Sequence, residues 1–356
     1  MENAINKSHA KAISIWLFIC CFMVLSMTVI GAITRLTESG LSITEWNVVM
    51  GTLPPLNEQA WQTEFDKYKA TPEFAVKHNW MELSDYKRIY FWEWLHRLWG
   101  RLIGLVFAVP LLFFWTKKMI PQGYHAKFLG LLALGGVQGF MGWYMVQSGL
   151  IDRPSVSHYR LAAHLSLALV IFSALLWLAI EFLRKAKPLT YKTPASKGLI
   201  VHGMITMLFV ALTIIWGAFV AGLDAGMIYN QFPLMGMRIV PDELLSMTPA
   251  WLNFFENHAS VQFTHRWLAM LTTLVVLSYA AHGLSFDKKH FAMLGVWVIV
   301  QASLGIKTLL AMGADSPLNG ASIHLAAIHQ TGAVILLTLM LMTLYRAIDS
   351  RRKISS

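Results

Sequence analysis

Eight apolar runs, each long enough to cross a bilayer, decide most of what this chain can become. They fall at approximately 13–34, 90–115, 126–147, 158–183, 199–222, 260–282, 291–312 and 321–345, and a crossing helix needs roughly 20 such residues. In hydrocarbon every backbone N–H and C=O must be paired within the protein, so runs of this length become helices. The expected fold is an all-α integral membrane protein with eight transmembrane helices. With 56% hydrophobic and only 13% charged residues in 356, little is left over for a soluble domain. The first run is too long for a secretory h-region and lacks a cleavage site, which predicts a retained helix.

A net charge of +10 invites a nucleic-acid reading, but the distribution argues against it. Lys7 and Lys11 precede the first run. Lys117, Lys118 and Lys127 lie in the second connection, and Arg184, Lys185, Lys187, Lys192 and Lys197 in the fourth. Lys288 and Lys289 lie in the sixth; Arg346, Arg351, Arg352 and Lys353 follow the eighth. With eight crossings all of these fall on one side, while the opposite loops hold few, notably Arg153 and Arg238. That is the positive-inside pattern, with both termini cytoplasmic. No Arg- and Ser-rich transit peptide precedes the first run, which favours a bacterial inner membrane. Cys20 and Cys21 are adjacent in that run, so no structural disulfide is expected.

The chain repeats itself. FWEWLHRLWGRL (91–102) matches VQFTHRWLAML (261–271), and VQGFMGW (137–143) matches VQASLGI (300–306). RLAAHLSLALVIF (160–172) matches LAAIHQTGAVILL (325–337), and GAITRLTESGL (31–41) echoes GAFVAGLDAGM (217–227). Each half is a four-helix unit in the same membrane orientation, which implies a pseudo-two-fold axis along the membrane normal. The division expected is a bundle over 1–184, a cytoplasmic linker over 185–198 and a second bundle over 199–356. The longest outer connections are about 35–89 and 223–259. In the first, Trp61, Phe65 and Tyr68 recur at helical spacing, as in an amphipathic helix on the membrane surface or a solvated loop helix.

Four of the thirteen histidines stand out: His96, His164, His265 and His329, on the second, fourth, sixth and eighth runs. Each lies about six to eight residues inside its helix, roughly 9–12 Å deep at 1.5 Å per residue. Two per half at matching depth can converge inside a bundle, and paired imidazoles are a common way to hold haem iron. Each has a small residue one turn further in: Gly100, Ala168, Ala269 and Ala333. The plainer reading is four hydrogen-bonded core histidines beside residues that favour close helix packing. Zinc fits less well, because no Cys-x-x-Cys or His-Glu-x-x-His is present. His324 rivals His329 as the last ligand; the repeat and the greater depth favour His329.

The halves differ beside these histidines. Glu93 in the first corresponds to Gln262 in the second, so only one site has an acid or base one turn away, which suggests a reaction site and an electron-transfer site. Arg97, Arg101, Arg160, Arg266 and Lys307 lie toward the outer ends, where they pair with haem propionates or snorkel. Gly100-xxx-Gly104 and Gly135-xxx-Gly139 pack helices within one bundle or between copies in a homo-oligomer.

Taken together, GAITRLTESGLSITEW (31–46), GTLPP (51–55), EWLHRLWGR (93–101), VQGFMGWYMVQSGL (137–150), the RLAAH run (160–164), THRWLA (264–269) and HLAAIHQTGA (324–333) resemble heme A synthase. The likeness is to the branch without a cysteine pair in the first outer loop, and it covers nearly the whole chain. It implies that His265 and His329 ligate a resident haem b. It implies that haem O binds as substrate in the N-terminal half at His96 and His164, with Glu93 the functionally important acid. The implied reaction oxidises a ring methyl of haem O to the formyl of haem A, for cytochrome c oxidase. Implied partners are membrane lipid, an electron donor the sequence does not identify, haem O synthase and cytochrome c oxidase assembly factors; nucleic acid is not among them. The competing readings are a quinone-linked di-haem cytochrome b, a transporter built on the repeat, and a histidine-bearing structural subunit.

Overall fold

The computed structural model describes residues 6–46, 50–151, 155–313 and 320–352. Arg153 lies outside them. Helix α1 spans Lys7–Leu36, α2 Glu58–Lys69, α3 Leu83–Thr116, α4 His125–Ile151 and α5 His158–Ala186. Helix α6 spans Lys197–Gly222, α7 His258–Gly283, α8 Lys288–Ala311 and α9 Gly320–Arg352. The described residues are all-helical, with only one isolated bridge, Met235 to Arg238. Among the described residues seven helices are long and apolar enough to cross a membrane: α1, α3, α4, α5, α6, α8 and α9. These fit a multi-pass membrane protein. The eighth expected span, α7, is 26 residues long, but His258, Gln262, His265, Arg266 and His282 lower its hydropathy.

Helix starts follow local chemistry. Asn57, Ser196, Asn257 and Asp287 cap α2, α6, α7 and α8, each side chain accepting from a backbone N–H in the first turn. Cys20 and Cys21 are both buried and unbridged.

The chain divides into two compact units, Phe22–Ile171 and Met1–Cys21 with Phe172–Ser356. In the second, α6 packs on α7, α7 on α8, α8 on α9 and α9 back on α6. Val210, Val276, Tyr279, Phe291, Leu294, Val298 and Met340 fill the centre.

In the first unit the outer connection folds over the end of α3. The aromatic stripe of α2 does not lie on the membrane or in solvent. Phe65 and Tyr68 are buried and stack on Tyr86 of α3 at 5.0 and 5.3 Å, while Trp61 meets Tyr90 edge-on at 4.9 Å. Protein covers the face that sequence periodicity assigned to lipid or water, because α3 begins seven residues before its expected span and offers these tyrosines. The second outer connection forms only short 3-10 turns, at Ala225–Met227 and Ala250–Phe254.

Candidate functional site

Each of the four singled-out histidines faces a glycine on the membrane-length helix that precedes its own. A Cβ added at Gly31 of α1 would lie 3.4 Å from Nε2 of His96 on α3, and one at Gly142 of α4 would lie 3.5 Å from Cε1 of His164 on α5. At Gly217 of α6 it would stand 3.1 Å from Cε1 of His265 on α7, and at Gly305 of α8 only 2.8 Å from Cε1 of His329 on α9. At Gly217 and Gly305 the imidazole therefore occupies space that a Cβ would need, whereas at Gly31 and Gly142 it stands at ordinary contact distance. Two of these contacts are tighter than ordinary packing allows for a Cβ. His96 and His164 lie in one compact unit, and His265 and His329 in the other. His324 is exposed.

Two glutamines bind the later histidine of each pair. Gln138 Nε2 donates to the His164 carbonyl at 3.1 Å and stands 3.2 Å from its Nδ1. Gln301 Nε2 donates to the His329 carbonyl at 2.9 Å and stands 3.1 Å from its Nδ1. The Oε1 atoms of both glutamines and Nδ1 of His265 are buried without a hydrogen-bond partner among the described residues. Buried polar atoms in that state are uncommon in a finished core. Among the described residues no three His, Cys, Asp or Glu side chains cluster as a metal site.

The acid beside the first pair is fully engaged. Glu93 is 3% exposed. Its Oε2 accepts from the Ser42 hydroxyl at 2.8 Å and the Ile43 amide at 2.7 Å. Its Oε1 accepts from Arg97 Nε at 3.1 Å and Nη2 at 2.6 Å. Arg97 also donates to the carbonyls of Ile43 and Glu45, each at 2.8 Å, and lies 4.8 Å from the Trp46 ring centroid. Trp94 donates to the Thr52 carbonyl and Arg101 to that of Gly51. Segments 42–46 and 50–52 are thus stitched to α3 between Glu93 and Arg101.

The second unit repeats the plan with an amide. Gln262 Oε1 accepts from Arg266 Nη2 at 3.0 Å, and its Nε2 donates to the carbonyls of Ala225 at 2.8 Å and Tyr229 at 3.2 Å. Arg266 reaches the carbonyls of Tyr229, Gln231 and Leu234. Three of the four arginines expected at propionates, Arg97, Arg101 and Arg266, therefore point terminal nitrogens at loop backbone. Arg160 donates to the Tyr144 hydroxyl and lies against its ring, and Lys307 is exposed.

The first outer connection also holds a buried titratable string. The Tyr68 hydroxyl lies 3.0 Å from Glu73 Oε2 and 2.6 Å from His78 Nδ1, and His78 Nε2 lies 3.4 Å from Glu38 Oε2. Lys77 closes it with an ion pair to Glu38. Burial pushes the Glu73 carboxyl up to about 7. His78 and then Lys77 hold Glu38 down to about 2. Sequence reasoning found the histidines but not the four glycines, Gln138 and Gln301 as their neighbours, nor Ser42. The glycines and glutamines were visible only as matched positions in the repeat.

Comparison with known proteins finds relatives along most of the chain. The family model described as "Cytochrome oxidase assembly protein" matches residues 14–341. The heme A synthase of Rhodospirillum centenum is 48% identical over 345 residues, 96% of this chain and 89% of the relative. That of Nitrosospira multiformis is 43% identical over 92% of this chain and 91% of its own length. That of Parvibaculum lavamentivorans is 45% identical over 94% of each.

Proposed function

This chain belongs to the heme A synthase family, and from that premise we propose that its two imidazole pairs form two separate haem sites. The protein is an oxidoreductase that converts haem O, its substrate, into haem A. In this reading His265 and His329 hold a resident haem b, and His96 and His164 receive haem O, whose ring methyl becomes the formyl group. The observation that carries the reading is the fourfold match of one histidine to one glycine on the membrane-length helix that precedes its own. Neutral imidazole nitrogens are fitting iron donors, and a Cβ-free helix surface lets the ring swing without striking a side chain.

When bound, haem b supplies a redox-active iron that passes electrons. The chain's own residues bind and orient. Gln138 and Gln301 fix the backbone beneath His164 and His329 and limit the rotation of their rings, the role partners of ligating histidines commonly take. Glu93 and Arg97 hold segment 42–46 against the outer part of α3. Four hydrogen bonds hold the Glu93 side chain in place, so Glu93 serves as an anchor for the loop. Arg97 and Arg266 act on the sites through the loops they clamp, which leaves Arg160 and Lys307 better placed to meet propionates.

The protein crosses the membrane eight times in this reading, α7 included, with both termini in the cytoplasm of a bacterial cell. Helix α7 is admitted because its polar residues are taken up within the protein: Gln262 and Arg266 are buried and bonded to the outer loop. The bundles then correspond to 1–184 and 199–356 with a linker at 185–198. Reduced-minus-oxidised spectra and extracted pigments of the purified protein test the assignment. Replacing His265 or His329 by Ala is expected to remove the haem b signal. Replacing His96 or His164 is expected to keep that signal and abolish haem A. Haem b retained at wild-type level in both His265→Ala and His329→Ala refutes the assignment.

A further inference from the structure

We propose that the groove between α8 and α9 is a binding site for one anionic phospholipid. The groove has a volume of about 710 Å3 and is lined by Met293, Val296, Trp297 and Leu339, with Lys288 and Lys289 at its mouth. That volume falls within the roughly 300–1,000 Å3 of sites that hold small molecules. From Lys288 to Trp297 the groove runs nine residues along α8, about 13 Å at 1.5 Å per residue, a length suited to the upper part of an acyl chain. Trp297 is fixed there because its indole N–H donates to the Gly332 carbonyl at 2.9 Å.

The charge at the mouth selects the head. Lys288 and Lys289 are exposed, and neither has an ion-pair partner among the described residues. The one acid beside them, Asp287, is committed elsewhere: it accepts from Arg346 at 2.5 Å and lies 3.0 Å from His290 Nδ1. Two ammonium groups above an apolar channel match a phosphodiester carrying an acyl chain. The outward side chains next to the groove, Met293, Val296 and Ile299, are exposed and apolar, so the site opens sideways to lipid. A basic residue near a membrane surface favours anionic lipid by about fivefold, or about 25-fold for the pair.

The test is native mass spectrometry of the full-length protein in detergent, titrated with phosphatidylglycerol or with phosphatidylcholine of the same acyl chains. The wild type is expected to retain phosphatidylglycerol about 25-fold better, with a preference that shrinks as salt is raised. Lys288→Gln with Lys289→Gln is expected to bring the two lipids level. Val296→Trp, which fills the groove, is expected to lower retention of phosphatidylglycerol while the lysines remain. Glycerol 3-phosphate at millimolar concentration is expected not to displace the lipid. Equal retention by the wild type, a preference that survives the double lysine variant, or displacement by glycerol 3-phosphate overturns the proposal. Circular dichroism and melting temperature confirm that the variants compared are folded.

Discussion

Between α1 and α3 the chain offers Glu93 two donors, the Ser42 hydroxyl and the Ile43 amide. Between α6 and α7 it offers Gln262 two acceptors, the carbonyls of Ala225 and Tyr229. An arginine four residues on, Arg97 or Arg266, completes each clamp. The difference between acid and amide therefore has a structural cause independent of proton transfer: each side chain complements what its loop presents. The contrast extends outward. Carboxylates and a histidine pin the first outer connection, through Glu38, Glu73 and His78. Amides pin the second, with Asn253 bonded to Met247 and Ala250 and Asn257 bonded to Glu243 and Ser246. The first connection buries its titratable groups Glu73 and His78, whereas Asp242 and Glu243 of the second pair at the exposed surface with Arg238 and Tyr229, so the stronger pH dependence should belong to the first unit.

Exchanging the clamps attacks the comparison most severely. Glu93→Ala leaves Arg97 buried without its counter-charge, at an expected cost of about 3–5 kcal/mol, read as a fall in melting temperature. Glu93→Gln turns an amide N–H toward either Arg97 or the Ser42 and Ile43 donors, and should recover only part of that loss. A variant as stable as the wild type would contradict the clamp. Next in size is the buried acid. Glu73 is protonated more readily in the fold than in the unfolded chain, so its contribution is complete below pH 4.5 and is lost as pH rises to about 7. Glu73→Gln should flatten that decline and gain up to about 3 kcal/mol at pH 8, seen in melts from pH 5 to 8. Glu38 acts oppositely, stabilising above pH 4.5 and losing its contribution as pH falls toward about 2.

The reciprocal exchange, Gln262→Glu, sets a carboxylate oxygen against the Ala225 and Tyr229 carbonyls. Its expected cost is about 1–3 kcal/mol, with pH dependence newly acquired in the second half. If Gln262→Glu is neutral, loop complementarity does not explain the asymmetry. The glycines give the smallest and most graded effects. Gly305→Ala must move the His329 ring, at about 1–3 kcal/mol and with an altered absorption band. Gly217→Ala should follow it, while Gly31→Ala and Gly142→Ala, with room for a methyl group, should change stability by less than about 0.5 kcal/mol.

Much of this was legible beforehand. Hydrophobic run length placed the long helices, because a bilayer imposes one length scale on every crossing. The repeat read in the sequence set His96 over His265 and His164 over His329. Other features left weaker traces. Gly31 and Gly217 fell opposite each other in the repeat, as did Gly142 and Gly305, but a glycine does not announce which neighbour it admits. The donors that explain Glu93 are a hydroxyl and a backbone amide, and backbone amides have no sequence signature. The stripe on α2 was visible at helical spacing, yet periodicity gives a face without naming what covers it. Tyr86 and Tyr90 covered it.

The central claim is that two imidazole pairs, one in each unit, grip iron porphyrins. Low-temperature electron paramagnetic resonance of the oxidised, purified protein tests it most directly, comparing the wild type with His265→Ala and His96→Ala. A low-spin signal of bis-imidazole type that His265→Ala abolishes and His96→Ala leaves in place is the expected result. The same signal persisting undiminished in His265→Ala would contradict the account.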